Sequence, residues 1–193
     1  NTQEVIFITM RKFIHLVSIG LCILLLPACS EEKFSSWSRY TSQSGAFSIE
    51  MPPHPKTVDK TEATVFGKQV VHYVTWKPGT FALDKFKMFQ VTYTDCPQRF
   101  TSDSTTLNAA LDSSINHRKT DFTEIDDIVS QPIQLNGYKG RTFIYSREGD
   151  NTVTIVKEYI IQNKKYDLTA IVKKNYNTSA EINTFFNSFQ LLR

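Results

Sequence analysis

Alternating apolar and polar residues mark much of the chain after residue 45 as β-structure. Phe47, Ile49 and Met51 alternate with polar neighbours, and the same period recurs over residues 89–93, which indicates half-buried strands. Two apolar runs, 65–66 and 70–76, flank the turn signal Gly67-Lys68 and predict a hairpin. Further strands are predicted at about 124–135, 138–147, 152–162 and 165–173.

The hydrophobic period changes over residues 104–118. Leu107, Leu111 and Ile115 recur at every fourth position, and Ala110 lies on the same side. This spacing places the four side chains on one stripe and predicts an amphipathic helix.

A second helix is predicted at about residues 178–190. Thr178 and Glu181 have the spacing of a capping box at its start. Four apolar residues then fall at i, i+3, i+4 and i+7: Ile182, Phe185, Phe186 and Phe189. Three aromatic rings on one stripe require a broad apolar surface, such as the face of a sheet, so we expect this stripe to be core. The alternative is a helix that presents its apolar face to a partner protein.

The order of these elements predicts the fold class. Antiparallel strands are interrupted by one helix and closed by another, which favours an α+β domain in which helices cover a central antiparallel sheet, an α/β/α sandwich. No internal repeat is visible, and the length suits one domain, placed at residues 45–193.

The beginning of the chain has the pattern of a secretory signal. Met10 is followed by Arg11-Lys12, by a mainly apolar run to Leu26, and by Pro27-Ala28-Cys29. A positive start, a short apolar stretch and a small residue before the cut are typical of a signal peptide, here residues 10–28. Residues 1–9 precede this signal and are interpreted as upstream or artefactual.

Cys29 and the residues before it resemble the lipobox of bacterial lipoproteins. That resemblance implies cleavage between Ala28 and Cys29, acylation of Cys29, and a membrane as partner through the acyl chains, which hold stably when there are two or more. The expected location is the bacterial cell envelope, at the outer membrane, since Ser30 is not the aspartate that resembles an inner-membrane retention signal. The alternative is an ordinary signal peptide with a chance cysteine.

Residues 29–44 are serine-rich and predict a polar tether. Within this stretch, Trp37 and Tyr40 are expected to pack back onto the domain rather than contact a partner.

Charge and cysteine content narrow the possible functions. The net charge is +3, and removal of residues 1–28 with Arg11, Lys12 and Glu4 leaves 20 − 18 = +2, so no nucleic-acid partner is expected. Of the cysteines Cys22, Cys29 and Cys96, only Cys96 remains in the domain. An internal disulfide is therefore not available there.

Candidate chemistry is sparse, and we expect no catalytic residue, cofactor or metal. His54, His72 and His117 lack the i, i+4 spacing of a helical metal pair. Cys96 lies in Asp95-Cys96-Pro97, which predicts a strand-ending turn with an inert thiol rather than a nucleophile.

Two charged groups are interpreted first as solvated surface. The acidic group is Asp121, Glu124, Asp126 and Asp127, with weak cation binding as the alternative. The basic group is Lys164, Lys165, Lys173 and Lys174, with anionic partners or lipid head groups as the alternative.

Five segments, in order, resemble the family of PsbP, the extrinsic photosystem protein. They are Ala46-Phe47-Ser48-Ile49-Glu50-Met51-Pro52, Val91-Thr92-Tyr93-Thr94-Asp95-Cys96-Pro97, Gly137-Tyr138-Lys139-Gly140-Arg141, residues 157–168 and residues 185–191. The resemblance covers about residues 44–192 and implies a central antiparallel sheet between helical layers. It implies neither photosynthesis nor any catalytic residue, because one fold hosts unrelated functions.

Two classes of function follow. The first, favoured here, is a membrane-anchored, non-catalytic binding or accessory module of the envelope, with an unknown envelope protein or ligand as partner. The alternative is an envelope enzyme whose site is assembled from scattered residues. A deep pocket with convergent polar groups would favour the enzyme.

Overall fold

Ten strands and two α-helices make up the part of the chain that the computed structural model describes, which is residues 37–64, 66–79, 85–97, 104–121, 125–147 and 149–192. The side chains of residues 104, 115–121 and 125–127 lie outside this description. The strands are β1 Ser38–Ser42, β2 Phe47–Met51, β3 Lys56–Thr64, β4 Gly67–Trp76, β5 Phe86–Asp95, β6 Ile125–Leu135, β7 Tyr138–Arg147, β8 Thr152–Ile161, β9 Lys164–Lys173 and β10 Gln190–Leu191. The helices are α1 Ser104–Asp121 and α2 Ala180–Asn187, and a 3-10 turn spans Lys174–Tyr176.

Seven antiparallel strands form a large sheet in the order β3-β4-β5-β9-β8-β7-β6. Successive side chains of a strand point to opposite faces, so each face has its own set of residues. On β9, Tyr166, Leu168 and Ala170 are buried in the main core, whereas Lys165 and Asp167 point the other way. We name these two sides the core face and the outer face.

A three-stranded sheet, in the order β1-β2-β10, packs on the core face together with α2. All three apolar residues of β2 are fully buried. The ring of Phe47 lies 5.7 Å from that of Tyr93 on β5 and 5.5 Å from that of Phe189. Sheet-on-sheet contact of this kind interdigitates side chains from two inner faces and excludes water from both.

The aromatic stripe at the end of the chain belongs to this core, as predicted. Ile182, Phe185, Phe186 and Phe189 are 4, 0, 7 and 2% exposed. The predicted capping box is wrong, because Ser179 rather than Thr178 occupies the N-cap and its side chain makes no cap hydrogen bond. The helix therefore owes its position to the burial of its apolar stripe rather than to its cap.

The predicted α+β fold, an α/β/α sandwich in which helices cover the central sheet, is wrong. Within the described residues the architecture is mainly β, and a second antiparallel sheet covers much of the core face. The error came from strands without an apolar period. The burial of β3 shows almost no alternation, since eight of its nine residues are polar or small and it lies at an edge of the sheet.

The strand β1 lies inside the stretch that the sequence assigned to a polar tether, residues 29–44. Its residues pair with all of β2, from Ser38 opposite Met51 to Ser42 opposite Phe47. Trp37 and Tyr40 pack back on the domain, as expected, with rings 5.2 Å from Phe89 and 6.2 Å from Phe47. The described fold thus includes residues before 45.

The hairpin between β6 and β7 is shaped by two glycines of the segment 137–141. Asn136 and Gly137 have φ values of 50° and 85°, the left-handed geometry that a tight two-residue hairpin requires. At Gly140, an added Cβ would collide with the backbone oxygen of Glu158 and the ring of Tyr159. Only glycine permits this close approach of β7 to β8.

Candidate functional site

A row of polar side chains crosses the outer face of the large sheet. Strand register places Tyr73, Thr92, Asp167, Glu158 and Arg141 side by side on β4, β5, β9, β8 and β7. We name these five residues the polar row. The row brings together residues separated by up to 94 positions in the chain, and it ends at Arg141 beside α1.

The centre of the polar row is a buried ion cluster. Glu158 is fully buried, and the ammonium of Lys165 lies 3.0 Å from its Oε2 and 2.9 Å from Asp167 Oδ2. Lys165 also donates hydrogen bonds to both oxygens of Asp167. One cation thus lies between two carboxylates, and its loss would leave buried negative charge, which is strongly destabilising.

At the β4 end of the row, Tyr73 donates a hydrogen bond of 2.6 Å to Glu62 Oε2. The pKa of Tyr73 is raised above its ordinary value, first by burial, then by the hydrogen bond and the charge of Glu62, and further by the charge of Asp167. The phenol therefore stays protonated and acts as a donor at neutral pH.

Helix α1 is seated on the other end of the outer face. Ala110 and Leu111 are buried with Cys96 and with Ile160 of β8, as the apolar stripe predicted. Arg141 also makes an ion pair and hydrogen bond with Asp112 of the helix. Apolar contact and this charge pair together hold α1 against the sheet.

An open groove of about 490 Å³ lies between α1 and the β6–β7 hairpin. Both apolar and polar residues line it: Asn108, Leu111, Pro132, Ile133, Gln134, Lys139, Gly140 and Arg141. The Nε of Arg141 is buried and has no hydrogen-bond acceptor within the described residues. The buried Nε cannot reach a ligand, but the side chain as a whole is 24% exposed and lines the groove, so the rest of its guanidinium can bind a carboxylate or carbonyl.

The lining of this groove combines charged, amide and apolar side chains. Arg141 and Lys139 supply positive charge, Asn108 and Gln134 supply amides, and apolar side chains surround them. Binding sites typically combine an apolar lining with a few placed polar groups. Glu158, the buried acid next to Arg141 in the row, has no exposed surface with which to touch a ligand in the groove.

The histidines do not form a common site among the described residues. His54 is exposed in a loop with φ 61°. His72 Nδ1 lies 2.8 Å from Asp59 Oδ1, and its ring stacks on Tyr93 at 4.5 Å. The side chain of His117 lies outside the described residues. No group of three potential metal ligands occurs in the described part of the chain.

Cys96 lies just beyond the end of β5, where the strand was predicted to stop, and its backbone N–H donates to Asn163 O. It is a free, buried thiol. Burial, and then the charge of Asp95, raise its pKa to about 11, against the opposing effect of Lys164 and Lys165. Since the thiolate is the nucleophile, this environment disfavours reactivity.

The four lysines that the sequence grouped together are separated by the structure. Lys164 and Lys165 begin β9, whereas Lys173 ends it and Lys174 follows, about 30 Å away at the rise of an extended strand. Lys164 pairs with Asp95 at 2.6 Å. The first pair therefore belongs to ion pairs of the domain, and only the second pair remains as surface charge.

Other predicted site residues fall outside the described part. Cys29, Ala28 and the signal segment precede residue 37, and the side chains of Asp121, Glu124, Asp126 and Asp127 are likewise not described. Neither helix of the described part has the length and hydropathy to cross a bilayer.

The polar row was missed in the sequence, although two signals for it were present. Glu158 is an acidic residue within the largely apolar strand β8, whose side chains point alternately to the two faces of the sheet. Arg141 closes the glycine-containing segment 137–141, which was used only as a structural motif. A charge inside an apolar strand marks either a paired ion or a functional group, and here it marks the first.

The chain was compared with family models, with curated proteins and with solved structures. No family model matches, and no curated protein matches. Among solved structures, the solution structure of cyanobacterial PsbP (CyanoP) from Synechocystis sp. PCC 6803 is similar, with a TM-score of 0.56 and 17% sequence identity over 86% of this chain and 98% of that one. At this identity the likeness concerns the fold alone. The chain therefore has a PsbP-like fold.

Proposed function

We propose that this chain is a non-catalytic accessory module of the bacterial cell envelope, which binds a partner protein through the groove between α1 and the β6–β7 hairpin. In this proposal acyl chains on Cys29 hold the protein on the outer membrane. The PsbP-like fold, which this chain shares with cyanobacterial PsbP, is the comparison that supports an accessory role.

The observation that carries the proposal is the guanidinium of Arg141. It is held by Asp112 at one side, its side chain is 24% exposed, and it lines an open groove next to Lys139. Positive charge around an apolar cleft favours an acidic, partly apolar segment of a partner.

The mode of binding is expected to rely on side chains. The groove borders β6, an edge strand of the large sheet, where a partner could in principle add a further strand. Pro132 lies within β6 and has no N–H to offer. A partner segment is therefore recognised through Arg141 and its neighbours rather than through a continuous backbone ladder.

Photo-crosslinking in the native envelope tests the groove. A photo-reactive residue at Gln134, which lines the groove, should give a discrete protein adduct, whereas one at Val58 on the opposite edge strand should not. Arg141→Gln should reduce the Gln134 adduct about tenfold or more, since a charge-assisted hydrogen bond contributes about 1.5–3 kcal/mol. Asp112→Asn is the matched control, because it removes the α1 ion pair while leaving Arg141. Equal adducts from both positions, or an adduct indifferent to Arg141→Gln, would refute the groove.

Mass spectrometry tests the anchor separately. Protein isolated from the envelope should begin at Cys29 and carry acyl chains, and Cys29→Ser should leave an uncut, unlipidated precursor, because the thiol is the acyl acceptor. Membrane fractionation should place the mature protein with the outer membrane. An unacylated wild-type protein would refute the anchor while leaving the groove untouched.

A further inference from the structure

Five lysines gather at one end of the large sheet. Lys56 begins β3, Lys77 follows β4, Lys85 precedes β5, Lys173 ends β9 and Lys174 follows it. Register and backbone hydrogen bonds place them together: Lys56 lies opposite Thr75 near the end of β4, and Lys173 N donates to Lys85 O. We name these five residues the basic end.

The basic end is an exposed surface. Lys56, Lys77, Lys85 and Lys174 are exposed, and Lys173 is half-buried. None of them forms an ion pair within the part of the chain that the structure describes. The ammonium of Lys85 lies 5.3 Å from the centroid of the Tyr176 ring.

Acidic groups near the basic end are few in the described segments that build it. Asp150 accepts a hydrogen bond from Thr152 at the start of β8, and Glu181 lies in the first turn of α2. The described residues of this surface therefore carry a net positive charge, which attracts anions over about a Debye length.

The described chain also begins at this end. Trp37 precedes β1, whose first residue Ser38 lies opposite Met51, and its ring is 5.2 Å from Phe89 of β5. Trp76, beside Lys77, is 5.9 Å from the same ring. The whole chain has two tryptophans, and both lie at the basic end, so tryptophan fluorescence reports on this end.

Chain length limits how far this end can lie from an anchor on Cys29. Eight residue steps separate Cys29 from Trp37, which reach at most about 29 Å when fully extended. The opposite end of the sheet, where β4 begins at Gly67, lies about another 30 Å away along the strand. An acylated Cys29 therefore holds the basic end within about 29 Å of the membrane, whereas it allows the opposite end to lie up to about 59 Å away.

We propose that the basic end docks on anionic lipid head groups of the membrane that holds the anchor. The proposal rests on the acylated Cys29 of the proposed function. Lysines near an anionic surface each add favourable attraction, and five on one end fix an orientation that the acyl chains alone leave free. In this orientation the β6–β7 hairpin loop, at the opposite end of the sheet, points away from the bilayer. The groove residues Gln134 and Lys139 lie beside this loop and face away with it.

Tryptophan fluorescence of the full acylated protein in vesicles tests this orientation. Vesicles of phosphatidylcholine and phosphatidylglycerol, with a head-group nitroxide lipid as quencher, should quench the fluorescence more than matched vesicles of phosphatidylcholine alone. High salt should reduce the difference, because it screens exposed charges. Lys77→Glu/Lys174→Glu should abolish it, since each lysine alters docking about fivefold.

The matched control is Lys68→Glu/Lys139→Glu, which makes the same charge change at exposed lysines of the opposite end and should leave the quenching intact. Flotation of the vesicles separates the two proposals. Protein that floats, yet is quenched equally in both lipids or in both double variants, would overturn docking while the anchor stands. Wild-type protein that does not float would overturn the anchor and, with it, the docking that depends on it.

Discussion

Truncation of Phe186 distinguishes a core helix from a partner anchor. The ring is 7% exposed, lies 5.2 Å from that of Phe185, and has the ammonium of Lys157 at 4.9 Å from its centroid. Burial lowers the pKa of Lys157. Phe186→Ala removes the ring that separates this ammonium from part of the core and opens a cavity between α2 and β8.

The expected cost follows from the position of the ring. Removal of a buried phenylalanine costs about 3–5 kcal/mol. Phe186 lies at the margin of the cluster, where water can fill part of the cavity and solvate Lys157, so we expect the lower value, about 3 kcal/mol. A domain of this size loses about 2–4 °C of melting temperature per kcal/mol, which gives about 6–12 °C. A loss of about 3 kcal/mol is a large share of a typical free energy of unfolding, which is about 5–15 kcal/mol.

Thermal and urea unfolding, followed by circular dichroism, measure this effect. Asn183→Ala is the matched control, since Asn183 is exposed on the same helix and its loss should change the melting temperature little. If Phe186→Ala melts like the wild type but no longer captures a partner, the stripe is an interface and our assignment to the core is refuted.

Two further predictions concern buried ionisable groups. Burial raises the pKa of Cys96 to about 11 from an ordinary 9.0, so iodoacetamide at neutral to mildly alkaline pH should alkylate the folded domain about a hundredfold more slowly than the unfolded one. Comparable rates would contradict the burial of this thiol. A melting temperature that falls on adding reductant would contradict its being the only cysteine of the domain. Lys165→Met should lower the free energy of unfolding in urea by about 3–5 kcal/mol, since it leaves Glu158 and Asp167 without their shared cation. Lys68→Met, an exposed control, should lower it by almost nothing. If Lys165→Met lowers it by less than about 1 kcal/mol, the cluster does not stabilise the fold.

The local hydrophobic pattern was sufficient to locate a strand or helix wherever one face of that element is buried. The strands β5, β6, β7, β8 and β9 and the helix α1 lie close to where hydrophobic period placed them, and the stripe of α2 is core. Period reports burial directly, because side chains on the buried face must be apolar. The strands β1 and β3 were missed for the same reason, since most of their residues are exposed or polar.

The sequence by itself determined the identity of most strands, the apolar faces they bury and the cysteine chemistry of the domain. The tertiary structure alone decided which polar residues meet. Glu158, Asp167 and Arg141 become neighbours only through the register of three strands, and Lys165 and Lys173 are separated only because β9 is extended. Strand pairing is set by packing across the whole sheet, and a local window of sequence carries no record of the partner strand.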